Sequence, residues 1–202
     1  MTPMNTPPYF VDYRSNQSLD GIGDDEIIYY FAYGSNLDKE QIEHRRLIGS
    51  RTLWQNDPAV EVKKAVPMGI AILEGYALNF NKLNSIKYGS HFASIAPKTN
   101  ATVEGVIYQL DKKFIQILDY FEGVSSNQYT RELVTVALKI QGKADELVPA
   151  LVYIAHTNAS IKTGEQGTPT KTYLDTILRG AINFGLSQET IAKLETWPTA
   201  KQ

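Results

Sequence analysis

Glu122 is the acid in this chain best placed to move a proton. Upstream of it, Phe114, Ile117, Leu118 and Phe121 fall at i, i+3, i+4 and i+7, a spacing that predicts a helix capped by Asp111 and stopped at Gly123. One more step of four beyond Phe114 and Leu118 reaches Glu122, so its carboxylate is expected on the buried side of that helix. It also falls in the last turn, where the negative end of the helix dipole opposes an ionised acid. Both effects are expected to raise its pKa towards neutrality, the range in which a carboxyl takes and returns protons. Asp119 is expected to point away from the stripe. On residues alone two roles for Glu122 stand level. It is a proton carrier, or it is a structural acid, turned outwards by fraying or paired with Arg131 or a lysine.

The second feature with chemical content is the passage from the apolar stretch Ile27 to Tyr33 through Gly34-Ser35-Asn36-Leu37 into the charged stretch Asp38 to Arg46. A strand that ends in such a turn before a helix gathers unpaired backbone N–H groups ahead of the positive end of the helix dipole, a place that holds anions. Ser35 is expected to cap this helix, with Asp38 three residues on as a capping-box partner and Arg45 and Arg46 at the negative end. The same spacing also suits an ordinary strand-to-helix connection.

Other constellations are weaker. His44, His91 and His156 are far apart in sequence and form no paired-ligand spacing, so no metal site is expected. Ser35 lies outside any G-x-S-x-G elbow and has no evident histidine partner, which favours a capping role over a nucleophilic one. Tyr129 and Tyr173 follow turn-rich stretches, where a tyrosine lines a pocket or packs at a domain edge.

The elements that would position these residues alternate irregularly. Strands are expected at Tyr76 to Phe80, His91 to Ala96, Thr102 to Leu110, Tyr129 to Ile140 and Pro149 to Ala155, besides the one before Gly34. That makes about six strands. Ile48 to Pro67 reads as a long surface excursion. Tyr173, Leu174, Ile177, Leu178 and Ala181 predict an amphipathic helix ended at Gly185, and Ser187 caps a last one with Leu186 and Ile191 as its staple. Without a strict strand-helix alternation, a Rossmann fingerprint or a P-loop, the pattern favours a mixed α+β domain over a doubly wound sheet.

With 202 residues the chain is long enough for one well-buried core, and a single domain over 26–198 behind a loosely ordered arm at 1–25 is expected. A net charge of -2, with no run of Lys or Arg longer than a pair, leaves no footprint for nucleic acid or an anionic membrane. Zero cysteine rules out disulfides, thiol catalysis and thiolate metal sites. Met1 to Asp20 is polar and proline-containing, unlike a signal peptide or anchor, and the expected address is the cytoplasm.

Taken together, Tyr29 to Tyr33, Gly34-Ser35-Asn36-Leu37, Val103 to Tyr108 and Leu118-Asp119-Tyr120-Phe121-Glu122-Gly123-Val124 resemble, in that order, the γ-glutamylcyclotransferase family. The likeness extends through Tyr129, Val152-Tyr153 and Tyr173 to Leu186 and covers roughly residues 27–197. The Tyr-Gly-Ser-Asn element is shared with plant avirulence-induced proteins and antibiotic-maturation enzymes, so it marks the superfamily better than the substrate.

The resemblance implies a small mixed β-barrel with flanking helices and a pocket beside Gly34 to Leu37. It implies cleavage of γ-glutamyl amides by the substrate's own α-amino group, giving 5-oxoproline and a free amino acid or amine. Glu122 would be the catalytic acid and base. Tyr33, Gly34, Ser35, Asn36, Leu37, Tyr129 and Tyr173 would bind a small γ-glutamyl substrate, with no cofactor and in a monomer or homodimer. A γ-glutamylamine or γ-glutamylated biosynthetic intermediate as substrate, or a non-catalytic carboxylate-binding module, are the competing expectations.

There are also departures. The stretch Ile48 to Val66 looks longer than in compact members, and Ser90-His91-Phe92-Ala93 stands where many bacterial relatives read Gly-Lys-Ala. Tyr-Gly-Ser-Asn in place of Tyr-Gly-Ser-Leu argues against the glutathione-specific branch.

Overall fold

Five strands close into a barrel in the order β1, β3, β2, β4, β5. They are β1 (Ile28–Ala32), β2 (Val66–Leu83), β3 (His91–Leu110), β4 (Tyr129–Leu138) and β5 (Glu146–Ala155). A computed structural model describes residues 23, 26–55, 57, 60–84, 89–160 and 167–200. The arm expected at 1–25 lies outside the described residues except for position 23. Neighbouring strands run antiparallel except at the closure, where Tyr30 of β1 lies parallel to Leu151 of β5. The barrel is therefore mixed.

The count of about six strands is corrected to five because His91 to Ala96 and Thr102 to Leu110 belong to one strand. The turn signals between them are real, since Pro97 to Asn100 are exposed and Asn100 has φ 58°, but they mark an outward bulge. The ladder resumes across it, with Pro97 opposite Tyr76 and Thr102 opposite Glu74.

Among the described residues four helices flank the barrel: α1 (Lys39–Trp54), α2 (Lys112–Glu122), α3 (Lys171–Phe184) and α4 (Gln188–Glu195). Helix α1 runs eight residues past Arg46, so the expected excursion begins inside a helix. Its sequence hides this, because Ile42 and Gly49 are its buried residues while Leu47, Ile48 and Leu53 face solvent. Gly49 has a packing reason: a Cβ there would come 2.5 Å from Ile117 Cγ2 of α2. Beyond α1 the chain is tied back by Arg46 Nη1, which donates to the Val62 carbonyl at 3.0 Å, and by the Lys63 N–H, which donates to Asp111 Oδ2 at 2.9 Å.

The cap of α1 is also corrected. Ser35–Leu37 form a separate 3-10 turn, and Asp38 caps α1, its Oδ1 accepting from the Glu40 N–H at 3.3 Å. The carboxylate therefore already occupies the helix terminus to which an anion site was assigned. By contrast α2 has the expected ends. Asp111 Oδ1 accepts from the Phe114 N–H at 2.7 Å, and Gly123 adopts φ 63° as the C-cap. Phe114, Ile115, Ile117 and Leu118 have 0% exposure, and burial of such side chains contributes about 1.5–3 kcal/mol each, which anchors α2 firmly. Thr170 and Gly185 bound α3, and Ser187 caps α4. Among the described residues no helix is long and apolar enough to cross a membrane.

Candidate active site

The end of β1 turns into the 3-10 segment at the mouth of the barrel, and α3 presses on that segment from outside. Gly180 allows the approach, since a Cβ there would lie 2.5 Å from the Asp38 nitrogen. The ion pair between Arg179 and Asp38 holds the same junction. A cavity of about 260 Å³ opens between this segment, the C-terminal end of α2, the start of β4 and the inner faces of β2 and β3. Tyr33, Gly34, Ser35, Asn36, Glu122, Tyr129 and Tyr173 all line it.

Glu122 reaches the cavity from the last turn of α2. Its Oε1 accepts from Arg45 Nη1 in a close ion pair and from Asn36 Nδ2 at 3.4 Å. No described residue donates to Oε2. The isolated acid that burial and dipole alone would act on is thus replaced by an acid with a cationic partner, held by one oxygen. Arg131, offered as the partner of Glu122, instead pairs with Asp119 at 3.0 Å. Asp119 does not point away: its other oxygen accepts from the Tyr153 hydroxyl at 2.7 Å. Burial raises the Asp119 pKa above the ordinary value, against the opposing pull of Arg131 and the Tyr153 hydrogen bond.

Around Glu122 stands a shell of phenols. Tyr33 donates to the Tyr153 carbonyl at 2.5 Å and Tyr129 to the Ala93 carbonyl at 2.8 Å. Tyr173 Oη accepts from the Ala93 N–H at 3.2 Å, which leaves its own proton to donate. Asn36 Nδ2 also donates to Tyr30 Oη at 2.8 Å, while Asn36 Oδ1 is buried with no partner among the described residues. Burial pushes the hydroxyl pKa of Tyr33, Tyr129 and Tyr153 well above the ordinary tyrosine range and raises those of Tyr30 and Tyr173 too, with the nearby Glu122 charge adding to the effect at Tyr30, Tyr33, Tyr129 and Tyr173. These phenols stay neutral and act as hydrogen-bonding groups. Glu122 is the one carboxylate on the described cavity wall.

Residues 102–194 match the model of the AIG2-like family. The gamma-glutamylcyclotransferase of Mus musculus is 29% identical over 173 residues, spanning 84% of this chain and 78% of that protein. That of Homo sapiens is 28% identical over 176 residues, spanning 85% and 79%. A solved structure of a gamma-glutamyl cyclotransferase matches with a TM-score of 0.67 at 26% identity, covering 88% of this chain and 91% of that one. The chain is thus similar to γ-glutamylcyclotransferases over most of its length and to the AIG2-like family over residues 102–194.

In the described cavity Leu37 stands apart from the other expected binding residues. It is 1% exposed, and its N–H is spent on the Gly34 carbonyl at 2.9 Å. Its side chain serves the core beneath the cavity. The expected set also lacked Arg45, Lys82, Tyr30 and Tyr153, all of which line the cavity. Two of these had a signal. Arg45 lies at i+3 from Ile42 with Gly49 at i+7, one helix face once α1 is followed to its end. Lys82 is the next inward position after Tyr76, Leu78 and Phe80 on β2.

Proposed function

We propose that this protein cleaves γ-glutamyl amides by intramolecular cyclisation, releasing 5-oxoproline and an amino acid or amine, with Glu122 as the proton carrier. The observation that carries the reading is the half-engaged carboxylate. Arg45 and Asn36 hold Oε1 and leave Oε2 for the proton, inside a cavity whose other acidic groups are neutral phenols. The names of the relatives supply the reaction class.

The α-ammonium of the substrate would sit between Glu122 Oε2 and the unpartnered Asn36 Oδ1, both of them acceptors for its N–H groups. Glu122 takes a proton, and the freed lone pair attacks the γ-carbonyl carbon. Negative charge forms on the carbonyl oxygen and is met by N–H donors at the start of the 3-10 turn, Ser35 and Asn36, and by a phenol. The bond to the departing nitrogen then breaks as that nitrogen is protonated. Two protons leave the attacking nitrogen overall and two arrive on the departing one, with Glu122 shuttling them. Because attacker and target share one molecule, closure of a five-membered ring draws its advantage from proximity and needs no protein nucleophile. Ser35 accordingly acts through its backbone.

The test is detection of 5-oxoproline across γ-glutamyl amino acids, peptides and amines. Glu122→Gln keeps the size and hydrogen bonding of the side chain and removes the proton-carrying function. Turnover by wild type and its loss in Glu122→Gln are expected; undiminished turnover in the variant would sink the mechanism.

A further inference from the structure

Lys82 is a buried lysine in a position that strand alternation reserves for an apolar side chain. It follows Phe80 on the inward face of β2 and is 4% exposed, yet it lines the active-site cavity. The β2–β3 ladder has a register shift between Asn79 and Lys82, an irregularity of the kind often found beside a site. Its ammonium donates to the Leu83 carbonyl at 2.6 Å and lies 5.9 Å from the Tyr129 ring centroid. No carboxylate among the described residues pairs with it, and an ammonium with one hydrogen bond made retains two donors. Burial lowers the Lys82 pKa, opposed by the field of Glu122, as expected of a cation whose counter-charge is not in contact.

The cavity wall thus carries Arg45 and Lys82 against Glu122 alone, and Arg45 is already committed to Glu122. A buried cation without a contact partner is costly, and a ligand that brings an anion offsets that cost. A γ-glutamyl amine is zwitterionic and brings one carboxylate, matched by its own ammonium. A γ-glutamyl amino acid brings a second carboxylate on the departing half, with no cation of its own to balance it.

We infer that Lys82 is a specificity residue that binds the free carboxylate on the departing half of the substrate, so that the site selects γ-glutamyl amino acids over γ-glutamyl amines and amides. This rests on the cyclising reading above. The half-engaged Glu122 and the donors of the 3-10 turn serve the γ-glutamyl half, common to all these substrates. Lys82 serves the half that differs.

The experiment compares γ-glutamyl-alanine with its neutral isostere γ-glutamyl-alaninamide, following 5-oxoproline release by wild type, Lys82→Met and Lys82→Arg, with calorimetric binding of both ligands in parallel. A charge-assisted hydrogen bond of this kind corresponds to roughly tenfold or more in kcat/KM, so wild type should prefer the acid by at least that factor. Lys82→Met should lose the preference by slowing the acid at least about tenfold more than the amide, while Lys82→Arg restores part of it. Equal losses on acid and amide, or no preference in wild type, would overturn the assignment. If wild type releases no 5-oxoproline from either compound, the cyclising reading fails by itself. The binding comparison then decides Lys82: a preference for the acid that Lys82→Met removes upholds it, and equal affinities dismiss it.

Discussion

Two carboxylates stand one helical turn apart near the end of α2, and their surroundings divide structural from chemical work. Asp119 has both oxygens engaged, one by Tyr153 of β5 and the other by Arg131 of β4, which is 3% exposed. Glu122 has one oxygen engaged, by Arg45 of α1 and Asn36 of the 3-10 turn, and the other open to the cavity. The first acid joins α2 to the barrel, because satisfying a buried guanidinium and a buried phenol together needs a carboxylate between them. The second is oriented without being consumed. The same helix turn thus sets a fully engaged acid beside a half-engaged one, and only the second has the free oxygen that the proposed proton carrier requires.

Breaking the second acid gives the largest expected effect on turnover. Glu122→Gln should lower kcat for 5-oxoproline release by about 10²- to 10⁴-fold, the usual range for general acid-base catalysis, while thermal unfolding stays close to wild type. Breaking the first acid should do the reverse. Asp119→Ala leaves Arg131 and the Tyr153 hydroxyl without their acceptor and is expected to cost about 2–4 kcal/mol in urea unfolding, with kcat of the folded fraction within a few-fold.

Arg45→Met sharpens the contrast from the side of the partner. It removes the group that holds Glu122 Oε1, so kcat should fall roughly tenfold with little change in KM, as expected when a reactive group loses its orientation. The smallest effect lies in pH. The folded-state pKa of Asp119 is raised above its ordinary 3.8 by burial, so its contribution to stability is fully present below that value and is lost as pH rises through the raised one. Asp119→Asn keeps an acceptor for Tyr153 and cannot ionise. The stability of wild type relative to Asp119→Asn should therefore decline with rising pH over that window, and unfolding midpoints at a series of pH values will show whether it does.

Much of α2 was legible in advance because everything that defines it is local: Asp111 three residues before the first amide it caps, an apolar stripe at helical spacing, and Gly123 where the chain must turn left-handed. For Tyr129 and Tyr173 the spacing leaves pocket and edge packing open; both line the cavity, each near the start of its element, and only the tertiary structure decides between the two. Helix α1 was cut short because it carries almost no apolar stripe, being held by a glycine contact with Ile117 and by polar ties to the following segment. The long strands β2 and β3 were read in pieces because their bulges carry the glycine, proline and asparagine that elsewhere end a strand. Ser35 was given a cap that Asp38 holds, since both residue types cap helices and only the path of the 3-10 turn decides between them.

By itself the sequence determined a mixed α+β chain, a glycine-containing turn at Gly34 to Leu37 after the first strand, and an acid at the end of an apolar helix face, because periodicity, caps and turn residues act over a few neighbouring positions. Only the tertiary structure decided that Arg45, 77 residues from Glu122, would pair with it, that Arg131 would go to Asp119 instead, and that Lys82 would share one cavity with Glu122. The physical reason is common to all three. Which charge meets which depends on how elements distant in the chain pack, and charge pairing has no period that a sequence displays.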